Sequence, residues 1–163
     1  MKPAANRGVT LIELLVVVML ISVMVGITFP SISSGLDSIR LASAADSVVS
    51  FINGALNRAE RRQQVVEVTI DPAGNAILIR GAQANLDRRL DLPDGISIAG
   101  VLPPLPNDPT AAAPRSFFLY PGGAVPGFGI QLATRRGVQR IVSVDPITGV
   151  PQILAVPPPG AGA

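Results

Sequence analysis

The chain has 163 residues, with 13 basic and 11 acidic side chains for a formal net charge of +2, and it contains neither histidine nor cysteine. That composition excludes histidine-based triads, thiol chemistry, disulfides and thiolate metal sites. The one lysine is Lys2, so a serine–lysine dyad has no member beyond the first residues, and the length leaves room for one anchor and one small globular domain.

Residues 1–8 read as a short basic leader, carrying Lys2 and Arg7 and ending in Gly8. Val9 to Phe29 is then a 21-residue apolar run whose one ionisable side chain is Glu13. As a helix rising about 1.5 Å per residue, such a run crosses a bilayer core. Lys2 and Arg7 predict that its N-terminal end stays in the cytoplasm. A carboxylate one turn into a membrane helix costs about 2.5–3.5 kcal/mol on insertion scales, so Glu13 marks function. An ordinary secretory signal cut near Ser31-Ile32-Ser33 fits poorly, because such signals have apolar cores of about 7–15 residues and Pro30 adjoins the cut. A plain anchor is separated from a functional signal only by the Gly8–Glu13 spacing.

Residues 30–62 are expected to continue the helix past a kink at Pro30, since proline removes a backbone donor. Apolar residues recur at Ile32, Leu36, Ile39, Ala42, Ala45, Val48 or Val49, Ile52, Ala55 or Leu56, and Ala59, which is one stripe at helical spacing. The helix is expected to fade at Arg61-Arg62. A half that is apolar all round needs lipid or like helices, whereas a one-sided half needs a sheet to cover it.

The region 63–156 reads as short strands. Val65–Ile70 is rich in β-branched residues, Asp71-Pro72-Ala73-Gly74-Asn75 is a turn, and Ala76–Ile79 returns as its hairpin partner. Leu90 and Leu92 flank Asp91 before a Pro93-Asp94-Gly95 turn, and Ile96–Ile98 alternates. Residues 100–115 hold five prolines and read as an exposed loop, because proline cannot donate to a central ladder. Ser116–Tyr120, Gly127–Thr134, Val138–Val144 and Gln152–Val156 are the closing strands. The tail, 157–163, is expected to be disordered.

Gly8 followed by Val9-Thr10-Leu11-Ile12-Glu13-Leu14-Leu15 resembles the class III signal of type IV pilins and type II secretion pseudopilins. The resemblance implies that a prepilin peptidase cuts after Gly8 and methylates the new amine of Val9, although the usual first residue there is phenylalanine. Pro30 also sits where many of these proteins carry a helix-kinking proline. Freed by cleavage, the cationic amine of one subunit can meet Glu13 of the next. An unpaired buried charge costs several kcal/mol, so Glu13 would set assembly register and would not catalyse anything. A head-to-tail contact that does not close makes a helical filament.

The segments Phe117-Phe118-Leu119-Tyr120-Pro121-Gly122-Gly123, Gly129-Ile130-Gln131-Leu132 and Arg140–Asp145 with Thr148-Gly149 resemble the C-terminal region of H-type minor pseudopilins. The implied fold is α+β, a long N-terminal helix packed on an antiparallel β-sandwich of the type IV pilin-like kind. The implied function is that of a minor pseudopilin subunit of type II secretion, in the inner membrane with its C-terminal domain in the periplasm. Implied partners are other major and minor pseudopilins, the prepilin peptidase, the inner-membrane assembly platform and secreted cargo. The alternative is a minor pilin of a type IV pilus, serving assembly, motility or DNA uptake. Many type IVa pilins carry a C-terminal disulfide, so the absence of cysteine leans toward the pseudopilin.

Arg135, Arg136 and Arg140 are candidate phosphate contacts, because guanidinium suits planar phosphate recognition. Loss of Lys2 and Arg7 with the leader leaves eleven basic against eleven acidic side chains, which argues against a nucleic-acid partner. No cofactor, metal site or enzymatic activity is expected. The Asp71–Asn75 stretch has too few oxygens for calcium and reads as a turn.

Overall fold

The computed structural model describes residues 9–81, 87–106 and 112–156, with the side chains of 27–34 and Ala155 outside that description. The leader 1–8, the centre of the proline-rich loop and the tail 157–163 therefore lie outside the described residues. Helix α1 (Leu11–Arg62) is followed by eight strands: β1 (Val66–Asp71), β2 (Ala76–Gly81), β3 (Arg88–Asp91), β4 (Ile96–Leu102), β5 (Arg115–Leu119), β6 (Phe128–Thr134), β7 (Gln139–Val144) and β8 (Pro151–Ala155). The fold class is the expected one, α+β with antiparallel sheets. The chain divides into two compact units, Met1–Leu36 and Asp37–Ala163.

In the first unit, the large apolar side chains from Val9 to Val25 are between 46% and 80% exposed, so no face of this stretch finds a partner within the unit. The polar Ser22 hydroxyl donates to the Val18 carbonyl at 2.7 Å, which satisfies it without water. Among the described residues no helix is long and apolar enough to cross a membrane. The expected span, 9–29, runs into residues 27–34, whose side chains are not described, and the expected kink at Pro30 falls in the same stretch.

The second unit begins on α1 with a change of pattern. Leu41, Ala44, Ala45, Val48, Ile52, Ala55 and Ala59 are buried, a three–four spacing that makes one stripe. The stripe differs from the expected one at its start, because Ile39 is 66% exposed and Leu41 and Ala44 take the inward positions. The helix stops as expected at Arg62. Gln63 has a φ of 51°, and the Gln64 amide donates to the Ala59 carbonyl at 3.3 Å. That six-residue closure with a left-handed residue is a Schellman-type end, formed here without glycine.

The strands form two four-stranded sheets, in the orders β3-β2-β1-β5 and β4-β6-β7-β8, a pairing order that periodicity could not supply. Alternation sends Val66, Val68 and Ile70 of β1 inward. They join the helix stripe and Ile130, Leu132, Val142 and Val144 of the second sheet in one hydrophobic core. At about 25 cal/mol per Å² of apolar surface removed from water, this shared burial is the main stabilising term of the unit.

Among the described residues the two sheets are joined by side chains and not by strand pairing. Phe117 of β5 stacks on Phe128 of β6 with centroids 4.4 Å apart, worth about 0.5–1.5 kcal/mol beyond area. Asn75, in the β1–β2 turn with φ 48°, donates to the Ile96 carbonyl at 2.9 Å and accepts from the Ile98 amide at 3.0 Å. Arg115 donates to the carbonyls of Val101 and Pro103 and lies 5.2 Å from the Phe117 ring. Asn75 and Arg115 therefore cap the free edge of β4, which would otherwise offer unpaired backbone groups. Asp71 closes the same β1–β2 turn by accepting the Gly74 amide at 2.9 Å. A Cβ on Gly74 would meet Asp71 Oδ2 at 2.4 Å, so any other residue there would displace the Asp71 carboxylate.

The expected loop 100–115 needs correction at both ends. Residues Gly100–Leu102 belong to β4, and Arg115 opens β5. The register shifts between Ile98 and Gly100, and this bulge brings Val101 opposite Ile130 and into the core, 6% exposed. The pattern was unreadable because the bulge reverses the alternation. β4 is an edge strand, which agrees with proline following it immediately.

Asn75→Ala removes two inter-sheet hydrogen bonds and orphans the Ile96 carbonyl and Ile98 amide. It is expected to lower unfolding free energy by about 2–4 kcal/mol, measured by urea titration of the detergent-solubilised chain. Thr69→Ala, which loses an exposed bond to Ser116, is expected to cost under about 1 kcal/mol.

Candidate functional site

The N-terminal site is built around the start of α1. The Glu13 amide donates to the Thr10 carbonyl at 3.1 Å and to the Thr10 hydroxyl at 3.3 Å. Thr10 is thus the N-cap and Glu13 the third helical residue, the Thr-x-x-Glu arrangement of a capping box. This is why the helix begins at Leu11 and not at Val9. The placement puts the Glu13 carboxylate in the first turn, where four amides point outward and the helix dipole favours negative charge. Both Val9 and Glu13 are exposed, so a carboxylate and the position of the expected amine are presented together among apolar side chains. Gly8, the expected cleavage residue, lies outside the described residues, as does the side chain of Pro30.

Chemically, this arrangement can hold an ion pair with a neighbouring chain. A lone carboxylate ringed by Leu11, Ile12, Leu14 and Leu15, all at least 58% exposed, is desolvated when those side chains are covered. Its attraction for a cation then grows as the local dielectric falls.

The three candidate arginines do not converge. Arg135 and Arg136 line one pocket with Arg40, Asp37 and Asp94, and Arg136 Nε lies 3.4 Å from Asp37 Oδ2. That half-exposed pair contributes at most about 1 kcal/mol. Arg140 pairs with Leu132 on β7, so it shares the inward face of its sheet with Val142 and Val144 and is absent from the pocket lining. Asp37 is taken up by Arg136, which leaves Asp94 as the carboxylate facing Arg40 and Arg135 in this pocket. Among the described residues, no three carboxylates cluster to hold a metal ion.

Two contacts had no local signal in the sequence. Glu60 accepts the Gly122 amide at 2.9 Å, tying the end of α1 to the turn after β5 across 62 positions. The Asp37–Arg136 pair spans a still longer separation. In both cases only the fold makes the partners neighbours.

Glu13→Gln keeps the cap geometry, because the amide–Thr10 bonds do not use the side-chain charge, but it cannot form an ion pair. It is expected to insert and mature as wild type by intact mass, yet co-purify with partner subunits at least about tenfold less, as for a lost charge pair of over 1.4 kcal/mol. Thr10→Val is expected to cost about 1 kcal/mol of helix end stability, read as faster amide exchange over 11–14.

Comparison with known proteins bears on both regions. Residues 3–29 match the prokaryotic N-terminal methylation motif. No curated protein sequence matches the chain. The structure is similar to that of the minor pseudopilin EpsH from the type 2 secretion system of Vibrio cholerae, with a TM-score of 0.56 and 17% identity, over 71% of this chain and 97% of that one. The chain joins a prokaryotic N-terminal methylation motif to a fold similar to that of a minor pseudopilin.

Proposed function

We propose that this chain is a minor pseudopilin subunit of a type II secretion pseudopilus, acting by assembly and not by catalysis. The observation that carries the reading is the pairing of the methylation motif over 3–29 with a pseudopilin-like β domain in one chain. The expected order of events begins with insertion of Val9–Phe29 in the inner membrane, N-terminus cytoplasmic and β domain periplasmic. The prepilin peptidase then removes Met1–Gly8 and methylates Val9. At the inner-membrane assembly platform the apolar helix packs among other major and minor pseudopilins, with Glu13 setting register and Pro30 supplying the bend. Subunit addition, driven by a cytoplasmic ATPase, pushes folded cargo outward.

Physically, the filament solves the exposure of Val9–Val25 described above. A helix apolar on all sides stays out of water either in lipid or among like helices, so transfer from bilayer to filament keeps those side chains dry. The charge pair adds selectivity, because a misregistered subunit leaves Glu13 buried without its amine.

The mature mass tests processing: removal of Met1–Gly8 with one added methyl is expected, and retention of the leader overturns the reading. A deletion strain tests function. Folded exoproteins are expected to accumulate in the periplasm and to return outside on complementation; unchanged secretion would instead point to a minor pilin and to loss of surface pili.

A further inference from the structure

We propose that the end of the second unit where the chain enters it is a contact surface for anionic lipid headgroups, formed by Arg40, Arg135 and Arg136, with the exposed Ile39 and Val138 on the same two segments. The proposal rests on the membrane-anchored reading given above.

The surface is assembled from two elements. Asp37 is the first residue of the unit, and Arg40 follows one turn later on α1. The β6–β7 turn carries Arg135 and Arg136, closed by the Gly137 amide donating to the Thr134 carbonyl and the Thr134 amide donating to that of Val138, both at 2.9 Å. The Asp37–Arg136 pair at 3.4 Å holds the turn against the helix. These groups surround a pocket of about 330 Å³. The ion pair is neutral, so Arg40 and Arg135 face a single remaining carboxylate, Asp94, and the balance stays positive.

Apolar neighbours select among anionic partners. Ile39 is 66% exposed and Val138 50% exposed, one on each of the two elements that carry the arginines. Cations interleaved with exposed aliphatic side chains suit the boundary between headgroups and acyl chains, where arginine stems lie in apolar material and guanidiniums reach phosphate. An acidic protein would use the cations alone.

Reach is supplied by the chain. From Phe29, the end of the apolar run, to Asp37 is eight residues, about 12 Å as helix. That segment is a short tether between the apolar run and the surface. The tether gives the surface a high effective concentration of headgroups, so a modest attraction suffices. Docking would hold the β domain against the bilayer before assembly and be relinquished as the subunit is extracted.

The test uses the full-length chain in lipid nanodiscs. Because the protein has no cysteine, Ser97→Cys, an exposed site on β4 after the Asp94-Gly95 turn, takes a single fluorophore. Headgroup-bound quencher then reports proximity in phosphatidylcholine discs and in discs containing phosphatidylglycerol. Quenching is expected to be stronger with phosphatidylglycerol and to be lost at high salt. The docked-to-free ratio should drop about fivefold for each of Arg40→Ser and Arg135→Ser, and lysine at either position should restore most of it. Equal quenching in both lipids, or quenching indifferent to both arginines, overturns the proposal while leaving anchorage intact. Failure of the chain to co-purify with discs of either kind overturns the anchorage reading, and this proposal with it.

Discussion

One helix in this protein has to satisfy two different surroundings, and the remaining architecture depends on how it does so. Up to Val25 the large side chains of α1 are apolar on every side and exposed; from Leu41 one stripe of apolar residues is buried, with Val49, Phe51 and Leu56 partly buried beside it. Water tolerates neither surface, but the remedies differ. The first needs a medium or partners all round, whereas the second needs only a cover on one side. The two sheets are that cover, and their inner faces share a single core with the stripe.

A sandwich of short strands brings its own difficulty, since each sheet has two edges. Here β4 is capped by the side chains of Asn75 and Arg115, and β3 carries Arg88, Arg89 and Asp91, with Arg89 and Asp91 paired at 2.6 Å. Charge on an edge strand discourages pairing with another chain. Asn75 and Arg115 serve a second purpose, because each is rooted in one sheet and hydrogen-bonded to the backbone of the other. Edge protection and sheet-to-sheet attachment are thereby the same bonds. The charged β3 and the capped β4 are thereby guarded against strand addition.

Polar groups on the helix work at its ends. Thr10 and Glu13 organise the first turn, Asp37 receives Arg136 at the entry to the second unit, and Glu60 holds the turn at Gly122 near the last. The carboxylate at Glu13 is the odd one of the set. Asp37 and Glu60 find partners within the chain, while Glu13 is exposed and aligned with the helix dipole, available to a cation brought by another molecule. That difference sets Glu13 apart from the two carboxylates that serve the fold.

What the sequence alone determined is what local periodicity and composition can encode. The apolar run with Glu13, the helix end at Arg62, the Asp71–Asn75 turn and the positions of β1, β2 and the four closing strands were legible within a few residues, because each depends on neighbours close along the chain. The tertiary structure alone decided the strand order, the bulge that turns Val101 inward, the phase of the helix stripe at Leu41, and the pairings of Glu60 with Gly122 and Asp37 with Arg136. Those depend on groups dozens of positions apart whose proximity is set by the burial of a common core, and no local pattern records which distant partner the core will bring near.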